Sequence, residues 1–256
     1  MFAGIDIGST TIKFVIIDDN NKILHSTIVK TGSNPQENVE KFISNYTFKK
    51  LVATGYGRYI LDSFFENVET ISEIKAYAIA VHKLYQLPLT ILDIGGQDIK
   101  VTSIDEKGKI LKFEMNDKCS AGTGKFLEIM ATTLGYSIDE LGEIEDKDFN
   151  NSIELNSTCT VFAESEVISL LTKGEPRQKI AKAVNKTVVK KAISMLNRVG
   201  IRKPLVFAGG VAKNKNIVDN LKETAKCDVI IPENPQLMGA LGAALYASNK
   251  IASQIN

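Results

Sequence analysis

The chain repeats one stretch of its own sequence. Residues 6–24 align with residues 93–111 without a gap, at an offset of 93 − 6 = 87, and 10 of the 19 aligned positions are identical. Two unrelated strand segments would share far fewer residues, so the chain contains two copies of one structural unit. This duplication constrains the fold strongly, because both copies must adopt the same local structure.

Each copy is typical of two strands joined by a glycine turn. An apolar run, 2–7 or 89–94, ends in Asp-Ile-Gly, and a second β-patterned run follows at 12–17 or 99–104. Turn-forming residues then lead to a third strand. Glycine at the first turn lets backbone N–H groups approach an anion, and the aspartate before it is placed to hold hydrated Mg²⁺ beside phosphates. Each copy therefore predicts a phosphate-binding loop.

Both loops supply candidate nucleotide-binding residues. Asp6 and Asp93 would position Mg²⁺ and its water molecules. Residues of the turns would contact phosphates or orient the attacking water, where charge stabilisation supplies most of the catalysis. These turn residues are Gly8, Ser9, Thr10, Thr11, Gly95, Gly96 and Gln97. Lys13 and Lys100 are expected to cover the sheet or to pair with local carboxylates.

Two more glycine-rich segments favour an adenosine pocket. Residues 204–214 predict a buried strand that runs into two glycines and a helix, and residues 239–245 predict a helix of small residues. A flat ring could lie close to the backbone of such a helix, although tight helix packing is the alternative for either segment. The candidate positions are Gly209, Gly210, Val211, Asn214, Gly239 and Ala240.

Two phosphate loops followed by an adenosine motif resemble the actin/Hsp70/sugar-kinase ATPase superfamily. The resemblance implies an α/β fold of two lobes, each with an RNase H-like sheet, and a hinge that closes over ATP. We expect residues 1–88, joined by the C-terminal helix 236–256, to form one lobe and residues 89–235 to form the other. Longer helices are expected at about 72–86, 123–135, 162–173 and 176–199.

Composition and charge exclude several classes of protein. The chain has 31 Lys plus Arg and 30 Asp plus Glu, so it lacks the broad basic field of non-specific nucleic-acid binding. No apolar run approaches the roughly 20 residues of a membrane span. The first ten residues, MFAGIDIGST, lack the pattern of a signal peptide. We therefore expect a cytoplasmic protein that binds neither nucleic acid nor membrane.

The chain has three cysteines, too few for an ordinary four-cysteine metal site within one chain. Cys119 and Cys159 each follow polar residues and precede an amphipathic pattern, so both are predicted at helix N-termini, which favour a thiolate and an anionic centre. Cys227 is interpreted as structural. A two-fold dimer would supply 2 × 2 = 4 thiolates, the number that a [4Fe–4S] cluster needs. Buried thiols, a bridging zinc and a redox disulfide are the alternatives.

Six segments spread over nearly the whole chain carry a closer resemblance. They are TGYGR (54–58), DIGGQDIK (93–100), NDKCSAGTGKFLE (116–128), CTVFAESEVISL (159–170), GGVAKN (209–214) and GALGAAL (239–245). Together they resemble the activator family of 2-hydroxyacyl-CoA dehydratases, which includes ATPase subunits of benzoyl-CoA reductase and reductases of double-cubane cluster proteins. The resemblance implies a homodimer with one [4Fe–4S] cluster, ligated by Cys119 and Cys159 of each subunit. Tyr77 stands where many relatives are expected to have His.

This resemblance implies an ATP-driven one-electron reductase that passes low-potential electrons to an iron–sulfur partner enzyme. Its cofactors would be ATP and ADP, Mg²⁺ and the shared cluster, and ferredoxin or flavodoxin would be the electron donor. Gly122, Thr123, Gly124 and Glu128 would line the nucleotide or transmit its state. A metabolite kinase of the same superfamily and a non-enzymatic ATP-dependent assembly or sensor protein with interfacial zinc are the alternatives.

Overall fold

The computed structural model describes residues 1–63, 68–144, 153–155 and 159–255. Asn256, the last residue of the expected C-terminal helix, and residues 156–158 ahead of Cys159 lie outside this description. The strands are β1 (Phe2–Ile7), β2 (Thr11–Ile17), β3 (Ile23–Lys30), β4 (Lys50–Thr54), β5 (Glu69–Thr70), β6 (Leu89–Ile94), β7 (Ile99–Ile104), β8 (Ile110–Asn116), β9 (Leu205–Ala208) and β10 (Val229–Ile230). The helices are α1 (Pro35–Ser44), α2 (Glu73–Tyr85), α3 (Gly124–Leu134), α4 (Ile138–Gly142), α5 (Thr160–Thr172), α6 (Arg177–Val199), α7 (Lys215–Ala225) and α8 (Met238–Ile255).

The four longer helices that the sequence predicts are confirmed as α2, α3, α5 and α6, with ends that differ by at most two residues. The chain divides into two compact units. The first unit comprises Met1–Ile91, Ile104–Leu111 and Glu233–Asn256, and the second comprises Leu92–Ser103 and Lys112–Pro232. Among the described helices, none has both the length and the apolar character that crossing a membrane requires.

The duplication in the sequence is a duplication in the sheets. One five-stranded sheet has the order β3-β2-β1-β4-β5 and the other has the order β8-β7-β6-β9-β10, so each strand of the first corresponds to the strand five places later in the second. In the first sheet β1 pairs antiparallel with β2 and parallel with β4. The matching strand orders therefore extend the duplication beyond the aligned residues, to β4 and β5 in one sheet and to β9 and β10 in the other.

The turns after β2 and β7 repeat the same hydrogen bonds. Asp18 Oδ1 accepts the backbone N–H groups of Asn20 and Lys22, both at 2.9 Å. Asp105 Oδ1 accepts those of the matching residues 107 and 109 at 2.9 and 2.8 Å. A carboxylate that accepts two amide protons stabilises a tight turn, which explains why aspartate occupies this position in both copies.

Strand β1 is buried along its whole length because both of its faces are covered. Ala3, Ile5 and Ile7 pack into a core with residues of β2 and α1. The opposite face meets α8, where a Cβ atom at Gly4 would lie only 2.0 Å from the carbonyl oxygen of Ala240. Glycine at position 4 therefore lets a helix backbone rest directly on the strand that ends in Asp6.

The second unit has its own apolar core. Leu92 and Ile94 of β6 pack there with residues from α3, α5, α6 and α7, including Phe126, Val188 and Ile217. Because side chains alternate across a strand, Asp93 lies on the face opposite to Leu92 and Ile94. This core fixes the end of β6, from which the second predicted phosphate loop starts.

Candidate functional site

In the first loop, Asp6 belongs to a row of polar residues that crosses three strands. The strand register pairs Asp6 with Lys13 on β2 and with Thr54 on β4, so the three side chains emerge on one face of the sheet. Asp6 is only 3% exposed, and Lys13 Nζ lies 3.2 Å from Asp6 Oδ2. The buried Thr54 hydroxyl has no hydrogen-bond partner within the described residues. The row thus combines a carboxylate–ammonium pair with an unused hydroxyl.

The first turn is closed by backbone hydrogen bonds. Gly8 N–H donates to the carbonyl of Thr11 at 3.1 Å. Thr31, just beyond β3, donates its hydroxyl to the Gly8 carbonyl at 2.7 Å and its backbone N–H to the Thr10 carbonyl at 3.0 Å. Ser9, at the tip, is exposed. The hydrogen bonds from Thr31 therefore hold the backbone of the turn in place, while the tip of the turn remains accessible to a ligand.

The second loop repeats this arrangement with one additional charge. Gly95 N–H donates to the carbonyl of Asp98 at 2.9 Å, as Gly8 does in the first turn. Asp93 is 4% exposed, and Lys100 Nζ lies 3.5 Å from Asp93 Oδ2 and 2.7 Å from Asp98 Oδ2. Gln97, at the tip, is exposed. The expectation that the two strand lysines pair with local carboxylates is confirmed in both loops.

Two glycines with left-handed backbone conformations press against the two aspartates. Gly55, after β4, has φ +94°, and a Cβ atom there would lie 2.6 Å from Asp6 Oδ1. Gly209, after β9, has φ +86°, and a Cβ atom there would lie 2.5 Å from Asp93 Oδ1. Both positions therefore require glycine. Gly209 is among the predicted site residues, whereas sequence reasoning missed Gly55.

The start of α3 is bonded to the second loop. Gly124 N–H donates to the Gly95 carbonyl at 2.9 Å, and Lys125 N–H donates to the Gly96 carbonyl at 2.7 Å. Both Gly122 and Thr123, just before the helix, are buried. Glu128 lies at the surface, where its carboxylate is 3.2 Å from the ammonium group of Lys125. The second loop and α3 therefore form one hydrogen-bonded element.

Cys159 is the N-cap residue of α5, as the sequence predicts. The corresponding prediction for Cys119 is wrong, because α3 begins at Gly124 with Thr123 as its N-cap. Gly122 has φ +85°, and Thr123 N–H donates to the Ser120 carbonyl at 3.0 Å. The chain therefore makes a turn between Cys119 and the helix.

The two cysteine-bearing segments nevertheless meet. Ser120 Oγ lies 3.1 Å from Thr160 Oγ1, and these residues directly follow Cys119 and Cys159. Both cysteines are partly exposed. Close by in the sequence, α5 presents three large apolar side chains to solvent: Val161, Phe162 and Ile168 are 66%, 70% and 50% exposed. An exposed apolar surface of this kind is typical of a protein–protein interface.

Cys227 has a different environment. It packs against the apolar core of the second unit, and burial raises the pKa of its thiol. A raised pKa disfavours the thiolate, which is the form that ligates metals. The structural interpretation of this cysteine therefore fits its surroundings.

The predicted adenosine residues fall into two groups. Gly209, Gly210 and Val211 lie in the second unit, where Asn214 caps α7 by accepting the backbone N–H of Ile217 at 2.9 Å. Gly239 and Ala240 lie in the first unit, where the side chain of Ala240 is fully buried. The α8 segment thus shows the tight packing that was the alternative interpretation, and its role in nucleotide binding stays a prediction.

The sequence matches the model of the BadF/BadG/BcrA/BcrD ATPase family over residues 3–247. The chain belongs to this ATPase family. A curated relative, the activator of lactoyl-CoA dehydratase of Anaerotignum propionicum, is 45% identical over 252 residues, which are 95% of this chain and 96% of the relative. The family resemblance that the sequence predicts is therefore confirmed.

Solved structures confirm the predicted α/β fold of this ATPase. The activator of the 2-hydroxyisocaproyl-CoA dehydratase from Clostridium difficile, solved with bound ADPNP, has a TM-score of 0.89 and 39% identity, covering 100% of this chain and 97% of that chain. MreB 5 of Spiroplasma citri has a TM-score of 0.62 at 13% identity, covering 99% and 97% of the two chains. The latter likeness shows an actin-like fold alone.

Tyr77 occupies a packing position in this member of the family. It is buried, and a Cβ atom at Gly239 would lie 3.2 Å from Tyr77 Cε2 and 2.9 Å from Asp6 Oδ2. Gly239 is therefore enclosed by the tyrosine ring and the carboxylate of the first loop. Where many relatives are expected to have His, this ATPase has a larger aromatic ring that fills the space beside α8.

Proposed function

We propose that this protein is an ATP-hydrolysing, low-potential one-electron reductase that activates a partner iron–sulfur enzyme. The contact between Ser120 and Thr160 carries the proposal, because it joins two cysteine-bearing segments in a chain of an ATPase family. The relatives named as activators of lactoyl-CoA and 2-hydroxyisocaproyl-CoA dehydratases support a 2-hydroxyacyl-CoA dehydratase as the partner. A double-cubane cluster protein is the other type of partner that the family resemblance allows.

ATP and ADP are the nucleotides of this proposal. The tips of both loops, with exposed Ser9 and Gln97, contact the phosphates or orient the attacking water. The other phosphate contacts come from Gly8, Thr10, Thr11, Gly95 and Gly96. Backbone N–H groups at such glycine turns bind anions without interference from a Cβ atom.

Mg²⁺ fits the chemistry of these loops. It prefers oxygen ligands and usually retains several water molecules. Asp6 and Asp93 offer buried carboxylates, each at the point where a strand ends in a glycine turn. A metal held by these carboxylates would supply positive charge to neutralise the charge that develops on the transferred phosphoryl group.

A [4Fe–4S] cluster shared by a homodimer fits the cysteine pair. Each chain contributes Cys119 and Cys159, so two chains supply the four thiolates. A cluster held by these thiolates would supply low-potential one-electron chemistry. Val161, Phe162 and Ile168 support a second copy of the chain as the group that covers this surface, because they are exposed next to Cys159.

A continuous set of hydrogen bonds supports coupling between nucleotide and cysteines. Gly95 and Gly96 accept the first N–H groups of α3. Thr123, the cap of that helix, donates its hydroxyl to the Ser120 carbonyl at 2.7 Å, and Ser120 in turn meets Thr160. A change in the second loop on hydrolysis thereby moves both cysteine segments together.

The donor of the electron is a ferredoxin or flavodoxin in this proposal, and the protein acts in the cytoplasm.

The test of the proposed function uses anaerobically prepared, reduced protein mixed with a purified 2-hydroxyacyl-CoA dehydratase. Addition of ATP should change the protein's iron–sulfur absorbance to that of the oxidised form while the dehydratase becomes reduced. Addition of ADP should cause neither change.

Electron transfer that proceeds equally without ATP would contradict the proposal. ATP-dependent phosphorylation of an added sugar, with no iron in the preparation, would identify a metabolite kinase instead. The reductase and the kinase are distinguishable because only a reductase changes the visible absorbance of the dehydratase.

A further inference from the structure

The segment TGYGR (54–58) has no role in the proposed function, although it lies beside the first phosphate loop. It begins with the last residue of β4, which pairs parallel with β1. The carboxyl ends of these two strands therefore lie at the same edge of the first sheet. The first loop starts from that edge, and in α/β sheets ligands bind beyond the carboxyl ends of strands. The segment is thus placed where the proposed function puts the phosphates.

The segment folds tightly over the end of β1. Gly57 N–H donates to the carbonyl of Ile7 at 2.8 Å. A Cβ atom at Gly55 would lie 2.5 Å from the Ile7 carbonyl oxygen, and a Cβ atom at Gly57 would lie 2.5 Å from Ile7 Cγ2. Both glycines therefore permit a close approach of two backbones that a larger residue would prevent. This contact fixes the segment against the strand end that carries Asp6.

Arg58 is anchored to this segment by its guanidinium group. Nη1 donates to the Gly55 carbonyl at 3.0 Å, and Nη2 donates to the hydroxyl of Tyr59 at 3.1 Å. The guanidinium carbon lies 4.4 Å from the centroid of the Tyr59 ring. Gly55 is also the residue that presses against Asp6, so its carbonyl holds the positive charge of Arg58 at the first loop.

The anchored guanidinium still has N–H donors for a ligand. A guanidinium carries five N–H donors, and the two hydrogen bonds to Gly55 and Tyr59 leave others unused. Over the ranges that the structure describes, half-buried Arg58 forms no ion pair with a carboxylate. The fully buried Thr54 hydroxyl, on the same sheet face as Asp6, also has no partner among the described residues. A bound phosphate group and its water molecules would satisfy such groups, and arginine is well suited to phosphate.

We propose that Arg58 is a catalytic residue that contacts the γ-phosphate of ATP. In hydrolysis, the oxygen of a water molecule forms a bond to the γ-phosphorus while the bond from that phosphorus to the bridging oxygen of ADP breaks. The products are ADP, inorganic phosphate and a proton. The guanidinium stabilises negative charge on the γ-phosphate oxygens during this step. The inference rests on the proposed function, because it requires that the first loop holds phosphates.

The test compares two nucleotides that differ in the γ-phosphate, ADP and the non-hydrolysable ATP analogue ADPNP, by isothermal titration calorimetry on the full-length protein. Arg58→Gln should raise the dissociation constant of ADPNP at least about tenfold, because hydrogen bonds between charged groups are the strong ones. The dissociation constant of ADP should stay within about twofold of the unaltered protein, since ADP lacks the γ-phosphate. The kcat of ATP hydrolysis should fall about a thousandfold, as for other arginines that contact the transferred group.

Lys49→Gln is the matched control, because it removes a positive charge from the other end of β1. Lys49 N–H donates to the Met1 carbonyl, and its exposed ammonium group lies 2.8 Å from Asp19 Oδ1. We expect unchanged affinity for both nucleotides and a normal kcat.

Equal loss of ADPNP and ADP affinity in Arg58→Gln would indicate a structural role and overturn the inference. Unchanged ADPNP affinity, or a kcat within about twofold of the unaltered protein, would overturn it as well. If the Gln variant does not fold, Arg58→Lys keeps the charge but not the planar fork, and the same selective loss of ADPNP is expected. If the unaltered protein binds neither nucleotide, the proposed function fails, and this outcome is distinct from the others.

Discussion

The hydroxyl oxygens of Ser120 and Thr160 lie 3.1 Å apart, and each belongs to the residue that follows a cysteine. Because consecutive Cα atoms are about 3.8 Å apart, this contact keeps Cys119 and Cys159 of one chain near each other. It also connects the turn before α3 with the first residue of α5. The pair is therefore the point at which two segments distant in sequence become one candidate ligand set.

Removing this contact should loosen the cysteine pair. Ser120→Ala is expected to lower the free energy of unfolding by about 1 kcal/mol, the net value of a typical hydrogen bond. It should also speed the loss of iron to a chelator, because the two segments are then less firmly held. Denaturant titration and the rate of iron release measure the two effects.

Ser165→Ala is the matched control on α5. Its exposed hydroxyl donates to the Val161 carbonyl of its own helix, at 3.1 Å. We expect little change in stability and none in iron release. Equal iron release from the two variants would show that the Ser120–Thr160 contact does not organise the pair.

Alanine should not be tolerated beside either buried aspartate. In Gly55→Ala and Gly209→Ala the new Cβ atom would lie 2.5 and 2.3 Å from the carbonyl oxygens of Ile7 and Ile94. Strain from positive φ and steric overlap together should cost about 3 kcal/mol or more of the free energy of unfolding. The ATPase rate should fall as well, because the carboxylates shift.

Gly32→Ala separates strain from overlap. Gly32 also has positive φ, at +65°, but nothing lies within 4 Å of a Cβ atom there. We expect a cost of about 1 kcal/mol, from backbone strain alone, and a normal ATPase rate. Equal losses at Gly32 and Gly55 in denaturant titrations would contradict the steric argument.

The turn carboxylate Asp105 should contribute stability that depends on pH. Hydrogen bonds from the backbone N–H groups of Lys109 and Lys107 hold its pKa below the ordinary value of 3.8. A lowered pKa in the folded state stabilises the protein above the unfolded-state pKa, and this contribution is lost as pH falls through the folded-state value. Asp105→Asn should therefore be less stable than the unaltered protein at pH 7, and the difference should shrink below about pH 4. Urea titrations of both proteins without the cluster, at pH 7 and below about pH 4, measure this difference in stability. A difference that does not change with pH would contradict the role given to the Asp105 carboxylate.

Asn185 should be a key residue of the second unit. It is fully buried, donates to the Leu141 carbonyl at 2.9 Å and accepts from Asn214 Nδ2 at 3.2 Å. Asn185→Ala leaves two buried partners unpaired and should cost about 3 kcal/mol of the free energy of unfolding. The effects of Asn185→Ala and Asn214→Ala should not add, because the two residues share one hydrogen bond. Additive losses in denaturant titrations would show that this network is not coupled.

The duplicated unit and the longer helices could be predicted from the sequence because they rest on local signals. Identical residues at a constant offset revealed both loops, and apolar spacing revealed α2, α3, α5 and α6. Cys159 was also predicted correctly as a helix cap. These features depend on neighbouring residues, which one sequence contains in full.

The features that were missed depend on three-dimensional geometry that the order of residues alone does not display. Gly55 is required because β4 pairs with β1 in a register that places Gly55 against Asp6. No local sequence pattern shows how these two strands are aligned. Cys119 was misplaced because the turn made by Gly122 delays the start of α3. Asp98 was visible as the one charged difference between the loops, but its relation to Lys100 needed coordinates.

In the proposed function, two chains share one four-iron cluster through Cys119 and Cys159. Iron and acid-labile sulfide analysis of anaerobically prepared protein, together with the mass of the assembly in solution, tests this sharing most directly. We expect a dimer with about two iron and two sulfide per chain, lost in Cys159→Ser and retained in Cys227→Ser. A normal iron and sulfide content in Cys159→Ser would contradict the account.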